Sequence, residues 1–386
     1  MKAMILAAGK GTRMRPITLS TPKPMIPLIQ KPVMQALIEH LRDSGVDDVV
    51  VNTSYLGEHI QNYFADGSAM GVNIAYSFEG HVTRGEVVGQ ALGSAGGLKH
   101  IQESSGFFDD TFLVLCGDAY VDFDVQALYE FHRSRGSVAT ILMRDVPREE
   151  VSKYGVVDTD DNGQIAQFQE KPAVEEAVST MINTGIYMFE PEVLDLIPSG
   201  VEYDIGGELF PDLVSRNKPF YGLCQEFQWI DIGTLPDFFE CQQQILEGKV
   251  QGYSLPGKEI APGIYANIHT SVDLEKSSIT GPVYIGPGTC IEPGATIEGP
   301  VVIGANCVIE KDAIVRRAYI DNYKRIREGA IVEDLILYQQ HAIERSGNSF
   351  FDLAETRCEW MVDDARNIDP VGDLESLLVP ELRKTG

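Results

Sequence analysis

Ile279, Ile285, Ile291, Ile297, Ile303, Ile309 and Val315 stand every sixth residue without a break in the second half of this chain. Gly286, Gly288, Gly294 and Gly304 recur between them. A period of six suits neither an isolated helix, with roughly 3.6 residues per turn, nor a strand that alternates its faces. It is the mark of a parallel β-helix, in which each repeat turns one corner and stacks an aliphatic side chain inside. The phase slips by one at Ile320 and then continues through Ile326 and Val332. Stacked coils bury their own core and need no ligand, so residues 255–345 read as a scaffold.

Residues 1–250 follow a different rule. Strand-like apolar runs occur at Met4–Ala8, Val49–Asn52, Asn73–Ser77, Phe112–Cys116, Ala139–Met143 and Thr184–Phe189, with helical patterns such as Val33, Leu37, Ile38 and Leu41 between them. That alternation predicts an α/β domain with a mostly parallel sheet, its ligands beyond the carboxyl ends of the strands. Asp161-Asn162-Gly163 predicts a hairpin turn between Gly155–Thr159 and Gln164–Gln169. After Phe350 the spacing of Phe351, Ala354, Cys358, Met361 and Ala365 predicts a helix with one apolar face, and Leu374, Leu377 and Leu378 a second short one, so 346–386 reads as a helical tail. Its apolar face would pack on its own β-helix or on another copy. The length of 386 residues agrees with two or three domains.

The chemistry concentrates near the start. The first strand runs into a loop holding Gly9, Gly11, Thr12 and Arg13, followed by Pro22-Lys23-Pro24. Glycines let backbone N–H groups approach an anion, and Lys10, Arg13, Arg15 and Lys23 supply cations for a triphosphate. The dinucleotide fingerprint needs a glycine where Met14 stands, and the P-loop needs a Gly-Lys-Ser/Thr that is absent, so this is a phosphate cradle of another kind. Two carboxylates, Asp118 after FLVLCG and Asp231 in WIDIG, lie at the ends of apolar strands. A buried carboxylate demands a cation or several N–H donors, and two beside a triphosphate loop point to Mg2+.

The composite Gly-x-Gly-Thr-Arg-x-Arg-Pro with Pro-Lys-Pro resembles the signature of the sugar-nucleotide pyrophosphorylases, which join a nucleoside triphosphate to a sugar 1-phosphate and release pyrophosphate. Gly117-Asp118, Trp229-x-Asp231-x-Gly233, Gly93-Ser94-Ala95-Gly96, Tyr154-Gly155-Val156-Val157, Glu170-Lys171-Pro172 and Asn183-Thr184-Gly185 match further motifs of that family in order, with Ser94 where its members often carry Thr. The resemblance implies a Rossmann-like nucleotidyltransferase domain followed by a left-handed parallel β-helix. It also implies nucleotide contacts from Leu6, Ala7, Ala8, Gly9, Gly11, Thr12, Gly93, Ser94 and Ala95, and sugar-phosphate contacts from Gly155, Glu170, Lys171, Asn183 and Thr184. Arg13 would hold the triphosphate and departing pyrophosphate, Lys23 the α-phosphoryl region, and Asp118 with Asp231 the Mg2+. Ala7-Ala8-Gly9 is similar to uridylyl and thymidylyl members, and the whole layout resembles the cyanobacterial UDP-glucose pyrophosphorylases. The favoured substrates are therefore UTP and glucose 1-phosphate, with GTP and mannose 1-phosphate as the alternative. One hydroxyl's orientation depends on pocket shape, which motifs do not encode.

Composition narrows the rest. A formal net charge of −26 repels nucleic acid and anionic membranes, so a local basic cluster must draw a polyanionic substrate. The short apolar start resembles no signal peptide and no apolar run is long enough to span a bilayer, which makes a cytoplasmic protein the expectation. The six cysteines form no Cys-x-x-Cys pair and read as reduced packing residues. No Ser-His-Asp or Cys-His arrangement is evident, so a covalent enzyme intermediate has no support. A non-catalytic regulatory homologue would have lost the loop arginine, Lys23 or an acid, and none is lost. An acyltransferase built on the β-helix would need a histidine between coils, yet His269 precedes and His341 follows the regular repeats. A homo-oligomer assembled through the β-helix or the tail is expected.

Overall fold

The computed structural model describes residues 1–83, 86–354 and 358–367. By their contacts they form two compact units. One holds Met1–Pro27 and Lys31–Asp231, the other Leu28–Gln30 and the residues from Ile232 onward.

The first unit is built on a nine-stranded sheet. Lys2–Leu6 pairs in parallel with Asp48–Thr53 on one side and Phe112–Cys116 on the other, and Asp48–Thr53 pairs in parallel with Asn73–Phe78. Alternate residues of the first strand enter two different cores. Ala3 and Ile5 pack with Met34, Leu37 and Ile60 from helices Val33–Asp43 and Gly57–Phe64, whereas Met4 packs with Ala95, Leu98 and Ile101 from helix Ser94–Ser105. Both faces are covered, which is why these strands read as continuous apolar runs.

The parallel order ends at Phe112–Cys116. Met181–Phe189 runs antiparallel to it and to Ala139–Asp145, which in turn pairs in parallel with Phe220–Cys224. Between Ala139–Asp145 and Met181–Phe189 the chain forms no crossover helix. It forms the expected hairpin of Gly155–Thr159 on Ile165–Glu170, and without a crossover the next strand must return antiparallel. This reversal has a useful result. Ile186 pairs with Leu115, so the beginning of Met181–Phe189 lies at the same edge of the sheet as the end of Phe112–Cys116. Val156 pairs with Ile182, which brings the Gly155/Glu170 end of the hairpin to that edge as well.

In the second unit Ile279 lies beside Ile297, Ile297 beside Val315, and Val315 beside Val332, all in parallel register. The period of six is thus three faces of one coil, and its aliphatic residues form a single core. The phase slip has a structural cause. Opposite Gly299 and Pro300 the next coil has one corner residue, Arg317, at φ +43°, so Val301 falls beside Ala318. Asp334 turns the following corner at φ +52° and accepts a two-pronged hydrogen bond from Arg317 (2.8 and 2.6 Å). Helix Leu235–Leu246 also belongs to this unit, its Phe238 ring 4.9 Å from that of Tyr319.

Among the described residues of 351–365 the expected helix is not formed. Phe350–Asp352 is a strand paired with His341–Glu344, Val362–Asp364 is a strand paired with Lys324–Ile326, and Ala354 is exposed. The end of a coil stack leaves strand N–H and C=O groups without partners, and the returning chain supplies them. Leu353 and Val362 close the core at that end. The expected helix at Leu374, Leu377 and Leu378 lies outside the described residues. Val362→Asp should therefore destabilise the protein much as the core truncation Ile303→Ala does, by about 2–5 kcal/mol. Urea unfolding of the two variants checks this, and an unchanged midpoint for Val362→Asp would remove the capping role.

Candidate active site

Leu6 ends the first strand, and the chain then leaves the sheet edge as an irregular loop. Gly11 sits at φ +59°, where a Cβ would lie 3.1 Å from both Lys23 Cβ and Thr18 Cγ2. Its carbonyl accepts from Thr18 Oγ1 (2.8 Å) and from the Met14 N–H (3.0 Å), which bends the loop back on itself. The amides of Ala8, Gly9, Lys10, Gly11, Thr12 and Arg13 donate to no acceptor among the described residues. Successive N–H groups held this way make a concavity for an anion, and Lys10, Arg13 and Arg15 are exposed around it.

Lys23, on the short turn Lys23–Met25, reaches into the sheet edge. Its Nζ lies 2.5 Å from Asp118 Oδ2 and 3.6 Å from Asp231 Oδ1, with 11% of the side chain exposed. Burial pulls the ammonium down, but the two carboxylates and the hydrogen bond to Asp118 outweigh it and hold Lys23 above its ordinary value. Gly117 gives Asp118 its place. A Cβ there would lie 2.8 Å from Ile5 Cγ2, and its N–H donates to Leu6 O. Asp231 arrives on Trp229–Asp231, a short strand paired with Ala119–Val121 so that Asp231 faces Ala119. The Trp229 indole donates to Thr184 O (3.1 Å) and meets the Tyr154 ring edge-on at 5.2 Å.

On the other side of the edge, Lys171 Nζ lies 3.0 Å from Glu170 Oε1, and both side chains are exposed. Glu170 passes over two glycines, since a Cβ at Gly155 or Gly206 would come within 3.2 or 3.1 Å of its Oε2. Three expected ligand contacts have their side chains committed elsewhere. Thr184 is buried and its hydroxyl donates to Leu142 O (2.6 Å). Asn183 donates to the Tyr187 hydroxyl and accepts from the Gly185 N–H, both at 2.9 Å. Ser94 Oγ donates to Asp204 (2.7 Å) and accepts from the Ile205 N–H (2.8 Å). Each of these side chains thus already has a partner inside the fold.

The sequence reading missed Tyr203 and Asp204. Tyr203 O accepts the Ala95 and Gly96 amides at 2.9 Å, and only glycine fits at 93, where a Cβ would meet that oxygen at 2.5 Å. Asp204 caps the Gly206 and Gly207 amides while its own N–H donates to Glu208. An acid ahead of a helical turn with Glu208 four residues on was the available signal.

Asp118 and Asp231 converge on one ammonium, and among the described residues no group of three or more His, Cys, Asp or Glu side chains is placed to hold a metal. Two carboxylates suit a hard divalent cation that draws its other ligands from water and phosphate. Nothing in the arrangement is a nucleophile with a base beside it.

These features coincide with a family. The nucleotidyl transferase model matches residues 2–248 and the bacterial transferase hexapeptide model, a set of six repeats, matches 282–317. The chain belongs to the nucleotidyl transferase family. It is 52% identical over 95% of its length to a UTP–glucose-1-phosphate uridylyltransferase of Synechocystis, 94% of which is covered. It is 32% identical over 77% of its length to a mannose-1-phosphate guanylyltransferase of Mycobacterium tuberculosis, 78% of which is covered. The fold is shared with a crystal structure of a UDP-glucose pyrophosphorylase complexed with UDP-glucose, at TM-score 0.55 and 20% identity over 64% of this chain and 98% of that one. Among the described residues no helix is long and apolar enough to cross a membrane.

The clasp around Lys23 has a stability consequence. A group raised in the folded state contributes stability below its unfolded value and loses it only as pH climbs through the folded value, above about 10.5 for a lysine. Lys23→Met should therefore lower unfolding free energy by a constant amount from pH 7 to 9. The loss should fall between the about 1 kcal/mol of an exposed pair and the about 3–5 kcal/mol of a buried one. A deficit that varies strongly between pH 7 and 9 in urea titrations would contradict this electrostatic origin.

Proposed function

We propose that this protein transfers a uridylyl group from UTP to glucose 1-phosphate, forming UDP-glucose and pyrophosphate. The observation that carries the reading is the convergence of Lys23, Asp118 and Asp231 beside a loop of unpaired amides, in a chain 52% identical almost end to end to a uridylyltransferase. The guanylyltransferase relatives are more distant and cover less of the chain, which makes GTP and mannose 1-phosphate the weaker pair.

A sugar 1-phosphate oxygen is already ionised and attacks the α-phosphorus of the nucleotide directly. One P–O bond forms, the bond to the bridging oxygen breaks, and pyrophosphate leaves with that electron pair. The amides of Ala8–Arg13 bind the triphosphate, and Arg13 follows the charge onto the leaving pyrophosphate. Lys23 neutralises the α-phosphoryl group, and Lys171, with Glu170 beside it, meets the sugar phosphate. Asp118 and Asp231 are the residues that would hold Mg2+. When bound, that ion screens the phosphates and polarises the α-phosphoryl oxygen. Alignment of the two anions and neutralisation of their charge is the whole of the protein's task.

Four nucleoside triphosphates assayed against glucose, galactose, mannose and N-acetylglucosamine 1-phosphates should give the fastest pyrophosphate release with UTP and glucose 1-phosphate. Preference for GTP with mannose 1-phosphate would overturn the substrate choice. Arg13→Ala and Lys23→Ala should each lower kcat by roughly a hundredfold or more, as loss of a preorganised charge does. Asp118→Asn and Asp231→Asn should remove most activity with only partial rescue by added Mg2+, and chelation with EDTA should silence the wild type. A rate indifferent to EDTA would leave the two carboxylates without the metal role.

A further inference from the structure

Beneath the loop of unpaired amides lies a buried polar chain that the reaction does not use directly. Ala7 N–H donates to Asn52 Oδ1 (2.7 Å), Asn52 Nδ2 donates to Glu79 Oε1 (2.7 Å), and Leu92 N–H donates to Glu79 Oε2 (2.9 Å). Asn52 is 3% exposed and Glu79 1%. A carboxylate at such depth is costly, and burial pushes Glu79 above its ordinary value while the bonds from Leu92 and Asn52 pull it back. Glu79 is fixed on every side. Its own N–H donates to Thr53 O, its carbonyl accepts from Gln90 N–H and Ser54 Oγ, and a Cβ at Gly97 would lie 2.4 Å from its Oε1.

The two ends of this chain are the two segments assigned to the nucleotide. Ala7 opens the phosphate loop, and Leu92 precedes Gly93-Ser94-Ala95. Every junction has a fixed direction. Ala7 N–H can only donate, so Asn52 must present oxygen to it and its NH2 to the next residue, and Glu79 must then accept from both sides. We infer that Asn52 and Glu79 are positioning residues that lock the phosphate loop and the Leu92–Ala95 segment into one preformed nucleotide cradle. The inference rests on the nucleotidyl-transfer reading for what the cradle holds, but the lock itself exists without substrate. Its effect falls on binding common to ground and transition states, so it governs KM for the nucleotide more than kcat.

The direction of the bonds supplies a test. Glu79→Gln leaves one acceptor for two donors, and Asn52→Asp sets two carboxylates face to face. The double exchange Asn52→Asp with Glu79→Gln restores every bond, because Asp can accept from Ala7 and from the Gln amide while the Gln oxygen accepts from Leu92. Each single variant should speed hydrogen exchange, read amide by amide by NMR in the ligand-free protein, at the bonded amides of both segments: Ala7 and Met14 on one side, and Leu92, Ala95 and Gly96 on the other. Each should also raise KM for UTP by about 10–100-fold with a smaller change in kcat, as displacement of a binding group does. The double variant should return both readouts to within about threefold of wild type, the residue of an imperfect copy. Should the double variant fail to fold, Gly97→Ala decides, since it crowds Glu79 without changing any donor or acceptor and should loosen residues 7–14.

Singles that loosen only the segment around their own position, a double no better than the singles, or normal KM with loosened loops would each overturn the inference. The exchange measurement contains no substrate. Failure of the wild type to turn over UTP would therefore sink the assigned reaction while leaving the lock measured.

Discussion

The Lys23 ammonium holds together three stretches of chain that are far apart in sequence. It reaches Asp118 from the fourth parallel strand and Asp231 from a strand more than a hundred residues later, and it rises from the turn that closes the phosphate loop. None of the three groups is comfortable alone at the edge of an apolar sheet. A lysine there loses hydration, and the two carboxylates repel each other. Together they are neutralised to within one charge, and the residual negative charge suits the binding of a further cation.

The gathering depends on the reversal in the sheet. Parallel strands alone would bring Leu6, Asn52 and Cys116 to one edge, because their carboxyl ends point the same way. The antiparallel strand Met181–Phe189 delivers its beginning to that edge, and the hairpin hanging from it delivers Gly155 and Glu170. The glycine loop from one half and Glu170 with Lys171 from the other are thereby brought to the same edge. The second unit obeys a simpler physics, in which each coil buries its aliphatic residue against the next and the returning chain closes the end.

Much of this was legible in the residues. The period of six announced the coils, and its one-residue slip at Ile320 marked the corner where Arg317 does alone what Gly299 and Pro300 do one coil earlier. The glycines of the phosphate loop and the acids at strand ends were equally visible. The tail was misread because 3–4 spacing over a dozen residues does not reveal whether a neighbouring coil offers open backbone groups, and such an offer outweighs a modest helical preference. The partners that Thr184, Asn183 and Ser94 hold inside the fold were not legible, since motif order says nothing of which way a side chain turns.

The sequence by itself determined the two regimes of the chain, its glycine loop and the family, because periodicity and glycine are local properties that survive without coordinates. Only the tertiary structure decided that Lys23 lies between Asp118 and Asp231, that Tyr203 and Asp204 brace the Gly93–Ala95 segment, and that Asn52 and Glu79 join Ala7 to Leu92. These are contacts between residues tens to hundreds of positions apart. Their existence depends on strand order and direction, which the sheet settles collectively and no short stretch of residues records.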